Sequence, residues 1–197
     1  LYASYSKQIN NIDEAWNQRN ELASNTSKYE LLIIASILEK ESCANERKKI
    51  SGVIFNRLKK NMLLQMDSTT IYALKDFDGN LKKKDLKNSS LYNTYMHKGL
   101  PPGPISNPSR ESLFSAGQPE AHEFLYFVAK DKCSHEFSTN YKDHAKAVKK
   151  FQINNPTLIL NIGGISNYTY CFKDKMTAKD VGPGNVLIDE YLKKTKR

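Results

Sequence analysis

Leu31-Leu32-Ile33-Ile34-Ala35-Ser36-Ile37-Leu38-Glu39-Lys40-Glu41-Ser42 is an apolar run that ends in two carboxylates. Its spacing predicts a helix. Ile34, Ile37 and Leu38 share one face, and Glu41 follows them at seven, four and three residues, so the core-facing stripe ends in an acid. Glu39 lies about 200° round the helix from Glu41 and is expected in solvent. Ser27-x-x-Glu30 is a capping box that would start the helix. A carboxyl at the end of an apolar stripe loses hydration, which favours its neutral form and raises its pKa. A carboxylic acid still protonated near neutral pH can donate to a leaving glycosidic oxygen. A solvated or paired helix end fits the same residues, so this segment alone leaves both readings open.

Working outward, residues 11–21 read as a helix, and 44–60 as another with Ile50, Ile54 and Leu58 as its stripe. Ser68 reads as the cap of a short helix running to residue 74. Residues 76–90 form a polar, lysine-rich excursion that turns at Asp78-Gly79-Asn80. Residues 92–108 are a long Pro/Gly-rich loop. Asn107-Pro108 reads as the start of a helix, with asparagine as cap and proline at the first position. Two strands follow, at 124–129 and 136–138. Tyr141, Ala145, Val148 and Phe151 then mark a last amphipathic helix. The fold class is α+β and helix-rich. From about residue 156 the pattern changes to strand, Gly163-Gly164 turn, strand, and a helix over 185–194. That strand-strand-helix appendage has too little core to stand alone.

The 197 residues are 26% charged and 39% hydrophobic, a balance that suits a globular chain rather than a disordered one. Net charge is +9, of which residues 152–197 carry +3 and the remainder +6, so there is no single basic tail. Lys82-Lys83-Lys84 and Lys146, Lys149 and Lys150 are the local clusters. Such a balance suits nucleic acid, an anionic membrane or an acidic polymer, and equally a plain solvated lysine surface. Neither zinc-finger spacing nor a ribonucleoprotein aromatic motif supports nucleic acid. No apolar run is long enough for a transmembrane helix. Cys43, Cys133 and Cys171 form an odd, scattered set without a disulfide framework, and Cys43 is expected to be structural. His97, His122, His135 and His144 make no metal-ligating pair. Neither metal nor cofactor is expected.

Beyond Glu41 come Phe55-Asn56-Arg57-Leu58, Leu64-Gln65-Met66-Asp67-Ser68-Thr69-Thr70-Ile71-Tyr72 and Tyr92-Asn93-Thr94-Tyr95. Gly99-Leu100-Pro101-Pro102-Gly103-Pro104-Ile105, Leu125-Tyr126-Phe127-Val128-Ala129 and His135-Glu136-Phe137 follow. In this order, from about residue 16 to 151, the chain resembles the catalytic domain of the endolytic murein transglycosylases, the MltG or YceG-like family. The resemblance implies a lysozyme-like/YceG-like catalytic domain over 1–151. It also implies internal cleavage of peptidoglycan glycan strands, leaving 1,6-anhydro-N-acetylmuramic acid ends. Glu41 matches the family's catalytic glutamate, the second of the Glu39-Lys40-Glu41 triplet. Family members carry an amino-terminal membrane anchor and a LysM-like domain. Neither is read in this sequence, which is expected to be a truncated or excised form. The resemblance places the activity in the cell envelope, at the periplasmic face of the inner membrane, with peptidoglycan synthases as possible partners.

Leu158-Ile159-Leu160-Asn161-Ile162-Gly163-Gly164-Ile165-Ser166-Asn167 and Asp180-Val181-Gly182-Pro183-Gly184-Asn185 resemble an internal piece of the anhydro-N-acetylmuramic acid kinases. That family's phosphate loop and catalytic aspartate region have no counterpart, so residues 152–197 read as a kinase-like segment without kinase activity. Gene fusion, decay or a shifted reading frame would each produce it.

Glu41 is the expected acid and then base, and its motif neighbours supply the substrate contacts. Gln65, Asn93, Thr94 and Tyr95 are candidates for sugar and N-acetyl contacts. Asp67 reads as either substrate contact or helix cap. Tyr95 and Tyr92 either stack on sugar or pin their loop. Asn56 reads as a contact or a helix cross-link, and His135 as a contact or a structural histidine. The sequence departs from the family pattern at Ser68, where proline is usual, at Asn61, where glycine is usual, and at Cys133-Ser134, where a glycine pair is usual. Asn61 and Ser134 are thereby expected in turns that ask for positive φ. The competing readings are a non-catalytic glycan-binding protein, a decayed fusion product, and a nucleic-acid binder.

Overall fold

The computed structural model describes residues 2–131, 133–153, 157–162, 165–172 and 175–183. It forms two compact units, residues 1–144 and 145–197.

In the first unit, α1 (Tyr2–Asn17) precedes α2 (Lys28–Glu41). The Ser27 cap behaves as its spacing predicts. Its hydroxyl accepts from the Glu30 N–H, while the Glu30 carboxylate accepts from the Ser27 N–H. Helix α2 is more deeply set than one stripe demands, because Leu31 and every residue from Ile33 to Leu38 are buried. Helix α3 (Arg47–Lys59), α4 (Asp67–Ala73) and α5 (Arg110–Gly117) pack around it with α1. Ile50, Ile54, Leu64, Met66 and Leu113 complete the core. Strands β1 (Tyr126–Ala129) and β2 (His135–Ser138) pair antiparallel, with Phe127 opposite Phe137, and both rings pack on this core. Gly52 lets the 120–122 segment lie against α3, since a Cβ there would stand 2.4 Å from the Glu120 carbonyl oxygen. Helix α6 (Tyr141–Val148) follows β2.

The first unit departs from expectation at several ends. Helix α1 begins at Tyr2 and stops at Asn17, with a separate 3-10 turn at Glu21–Ala23. Helix α5 is capped by Ser109 rather than Asn107, because the Ser109 hydroxyl accepts from the Ser112 N–H. Asn61 does adopt positive φ, at 54°, and Ser134 does not; Gln65 is left-handed as well, at 50°.

A disulfide joins Cys43, just past α2, to Cys133 in the β1–β2 turn, with Cα atoms 5.3 Å apart. Sequence spacing gave no sign of it, since the two cysteines are separated by 90 residues and only the fold brings them together.

The second unit is an antiparallel meander of β3 (Thr157–Ile162), β4 (Ile165–Phe172) and β5 (Lys175–Pro183). Two strands were expected there and three are found. The third follows from the alternation Lys175-Met176-Thr177-Ala178-Lys179, a period of two that suits a strand. The turn at 163–164 and the helix expected over 185–194 lie outside the described residues.

Closing a 90-residue loop by a disulfide should stabilise the fold by about 2–4 kcal/mol. Urea unfolding should shift to lower concentration when reductant is added, and Cys43→Ser should remove that sensitivity. Equal midpoints with and without reductant would show that the bond does not form in solution.

Candidate functional site

Glu41 closes α2 on the side where α4 begins. Ser68, in the first turn of α4, donates its hydroxyl to Glu41 Oε1 at 2.5 Å and its backbone N–H to the same oxygen at 3.2 Å. Part of the residue still reaches solvent, yet protein atoms enclose the carboxyl itself, and that enclosure governs its proton. Desolvation raises the Glu41 pKa. The two Ser68 bonds oppose the rise, Asp67 adds to it electrostatically, and His135 counters it. Among the described residues Glu41 makes no ion pair.

Glu39 does not lie in solvent as its position on the helix suggested. Its carboxylate accepts from the Ser109 N–H at 2.8 Å, the Ser109 hydroxyl at 2.7 Å and the Ser112 hydroxyl at 2.6 Å. Arg47 pairs with its other oxygen at 3.2 Å. Burial works against ionisation here, but the two serines and the Arg47 charge outweigh it and hold the pKa down at about 2. One helix end therefore carries two acids of opposite character, with Glu39 ionised and structural and Glu41 biased toward the proton-bearing form.

The other predicted site residues separate into two groups. Asp67 and Tyr95 belong with Glu41. Asp67 is the first residue of α4 rather than its cap, is exposed, and accepts from the Tyr95 hydroxyl at 2.5 Å. Burial, then the Asp67 bond and charge, push the Tyr95 phenol up, so it remains a neutral donor. Gln65 is exposed and left-handed two residues before Asp67, and its N–H donates to the Thr94 carbonyl at 3.1 Å. Strained backbone of this kind persists where the surroundings hold it and often marks functional sites.

Asn93 and Thr94 are fully buried, with their polar atoms engaged inside the protein. Asn93 Oδ1 accepts from the Thr70 hydroxyl and the Tyr95 N–H, while its amide donates to the Leu86 and Asn88 carbonyls. Thr94 Oγ1 accepts from the Met66 N–H at 3.0 Å and lies 2.8 Å from Thr69 Oγ1. Both thus fix the loop that presents Tyr95. Asn56 cross-links α3 to the segment before β1 through the His122 and Phe124 carbonyls, at 2.7 and 3.0 Å. It also lines two adjoining hollows of about 590 and 630 Å³, neither of which includes Glu41. His135 is held by Glu46 through Nδ1 at 2.6 Å. It is near enough to act electrostatically on Glu41.

Sequence reasoning missed Arg57. It donates to the Leu125, Leu64 and Leu63 carbonyls at 2.6, 2.7 and 3.2 Å and so anchors the segment leading into α4. Its signal was a charged residue inside an otherwise buried helix face. Ser68 was likewise passed over as a cap. No group of three or more His, Cys, Asp or Glu residues suited to a metal occurs among the described residues. No described helix is long and apolar enough to cross a membrane.

Comparison with known proteins gives two matches along the chain. Residues 1–150 match the YceG-like family, and residues 144–197 match anhydro-N-acetylmuramic acid kinase. The chain is 40% identical over 147 residues to an endolytic murein transglycosylase of Bacillus subtilis, covering 74% of this chain and 40% of that protein. A crystal structure of a yceG-like protein from Listeria monocytogenes superposes with a TM-score of 0.58 at 38% identity, covering 73% of this chain and 43% of the other. The carboxyl-terminal match includes 48% identity over 42 residues with an anhydro-N-acetylmuramic acid kinase of a gamma-proteobacterium, 21% of this chain and 12% of that protein.

The two acids should affect stability with opposite sign. Glu39 has a depressed native pKa, so its contribution is present above the ordinary carboxylate pKa and is lost as pH falls toward 2. Glu39→Gln should therefore cost about 2–3 kcal/mol at pH 7 and progressively less below pH 4.5. Glu41 has a raised pKa, so its contribution is greatest below pH 4.5 and is lost as pH rises through the native value. Glu41→Gln should then stabilise the fold at pH 7 and leave it unchanged in acid, as read by urea unfolding across pH. Ser68→Ala removes a bond that favours the ionised form, so a carboxyl-carbon NMR titration should show the Glu41 pKa moving further up.

Proposed function

Because the chain belongs to the YceG-like family, we propose that it is a lytic transglycosylase that cleaves peptidoglycan glycan strands internally and leaves 1,6-anhydro-N-acetylmuramic acid ends. The observation that carries this reading is the enclosed Glu41 carboxyl, whose pKa is raised and which is held by Ser68. The chain spans 40% of the length of the Bacillus relative, so the activity is inferred for this segment rather than transferred whole.

In the proposed reaction Glu41 gives its proton to the glycosidic oxygen as the bond from muramic acid C1 to that oxygen breaks. The C6 hydroxyl oxygen of the same ring then bonds to C1, and its proton returns to the Glu41 carboxylate. One acid suffices because the nucleophile belongs to the substrate, whereas hydrolysis ordinarily calls for a second carboxylate. Desolvation raises the Glu41 pKa and so favours the proton-bearing form that the first step uses. The Ser68 hydroxyl bond steadies the carboxylate between the two. Exposed Gln65 and Asp67 with half-buried Tyr95 are the proposed substrate contacts. Asn93 and Thr94 act by holding the loop, Asn56 by joining α3 to the β1 approach, and His135 by its bond to Glu46.

The functional division proposed is a catalytic portion over 1–151 and a kinase-like segment over 152–197, for which we propose no phosphoryl transfer. The two family matches meet over residues 144–150, which supports a fused gene product. A disulfide suits the oxidising cell envelope proposed for this activity, with peptidoglycan synthases as proposed partners.

Glycan strands incubated with the protein and with Glu41→Gln should be compared by mass spectrometry. Anhydro-muramic ends from the first and none from the second are expected. Reducing ends would mean hydrolysis and would turn attention to Asp67. Full cleavage by the variant would remove Glu41 from the chemistry. Binding without cleavage by either folded protein would favour a glycan-binding role.

A further inference from the structure

Three tyrosines that play no part in holding Glu41 meet in one patch. Tyr29, in the first turn of α2, and Tyr72, in the last turn of α4, are 55% and 52% exposed. The ring of Tyr72 lies 4.9 Å from that of Tyr92, inclined at 49°. The hydroxyls of Tyr92 and Tyr29 converge on Gly103, where an added Cβ would stand 2.9 Å from the first and 3.1 Å from the second. Tyr29 also donates its hydroxyl to the Pro102 carbonyl at 3.1 Å. These contacts fix the polar tip of Tyr29 and set the Tyr72 ring against that of Tyr92, itself half-buried on the core, while Tyr29 and Tyr72 stay exposed.

The patch is continuous with the Glu41 site. Tyr72 stands four residues beyond Ser68, which places it on the same face of α4 one turn away. Ser68 is the residue that holds Glu41. At the other end Tyr29 precedes Glu41 by twelve residues of α2, about 18 Å along the helix axis. That length accommodates several linked sugar rings. The apolar face of a pyranose packs on an aromatic face, and rings already ordered before binding lose little entropy when a ligand arrives.

We propose that Tyr29, Tyr72 and Tyr92 form a stacking track for a β-linked polysaccharide, holding the glycan strand away from the linkage that Glu41 attacks. This proposal rests on the glycan-cleaving reading of the Glu41 site. The track supplies binding remote from the reacting atoms, and its effect grows with strand length. Strands that extend past the reacting linkage are thereby favoured over short fragments.

The test uses the whole chain and uncrosslinked glycan strands of two lengths, a tetrasaccharide and a long strand. Tyr29→Ala with Tyr72→Ala should raise KM for the long strand by roughly 10-fold, with kcat on the tetrasaccharide unchanged. Tyr29→Phe with Tyr72→Phe keeps the rings and should restore most of the affinity. Melting curves establish that the variants fold. If the parent protein cleaves both substrates and the alanine pair leaves the long-strand KM unchanged, the track is overturned while the Glu41 assignment stands. Equal losses on long and short substrates would also overturn it. If the folded parent neither binds nor cleaves either glycan in titration calorimetry, the functional reading fails and the track fails with it.

Discussion

Burial of Leu31 and of every residue from Ile33 to Leu38 leaves mainly the two ends of α2 near water. The remaining elements of the first unit are arranged by this requirement. Helices α1, α3, α4 and α5 all pack against it or its neighbours, and residues 99–109 run alongside it. Ser36, buried in the middle of the helix, meets that segment, taking the Ile105 N–H on its hydroxyl and the Ser106 hydroxyl on its carbonyl. A polar side chain at such a depth is tolerable only when its bonding capacity is used, and here it is.

The same burial explains why Glu39 and Glu41 differ so sharply. Both lose water at the end of α2. Around Glu39 stand two serine hydroxyls, a backbone N–H and a guanidinium, more than enough to replace hydration and keep it charged. Around Glu41 stand the hydroxyl and N–H of Ser68, with Asp67 opposing ionisation and His135 favouring it. The chemistry available to each carboxyl is thus set by its partners, and the partners come from different helices. The serines at the start of α5 and Arg47 of α3 keep one acid ionised, and α4 leaves the other biased toward its proton.

What could be read from the sequence follows the reach of each signal. The capping box and the placing of Glu41 on the apolar face depend on residues within one helix, and both were legible. The setting of Glu39 was not, because Ser109 and Ser112 arrive from 70 and 73 residues away. The Cys43–Cys133 bond was hidden for the same reason. Asn93 and Thr94 were misplaced by a different ambiguity. A polar residue in a loop looks the same whether it faces a ligand or bonds the loop to its support, and burial decides between them only in three dimensions. The shift of the α5 start to Ser109 belongs here too, since Glu39 draws that N–H and hydroxyl onto itself.

The segment that lies along α2 touches it near both ends, from Tyr29 with Pro102 to Glu39 with Ser109. Every one of these bonds joins residues 69 to 73 apart in the chain. Contacts of such separation form late, because the loop must close before they return any energy. During synthesis the apolar flank of α2 therefore exists well before the strand of chain that shields it. Until that cover arrives, the helix is an adhesive surface, and the interval is when this chain is most open to association with its own kind or in need of a chaperone.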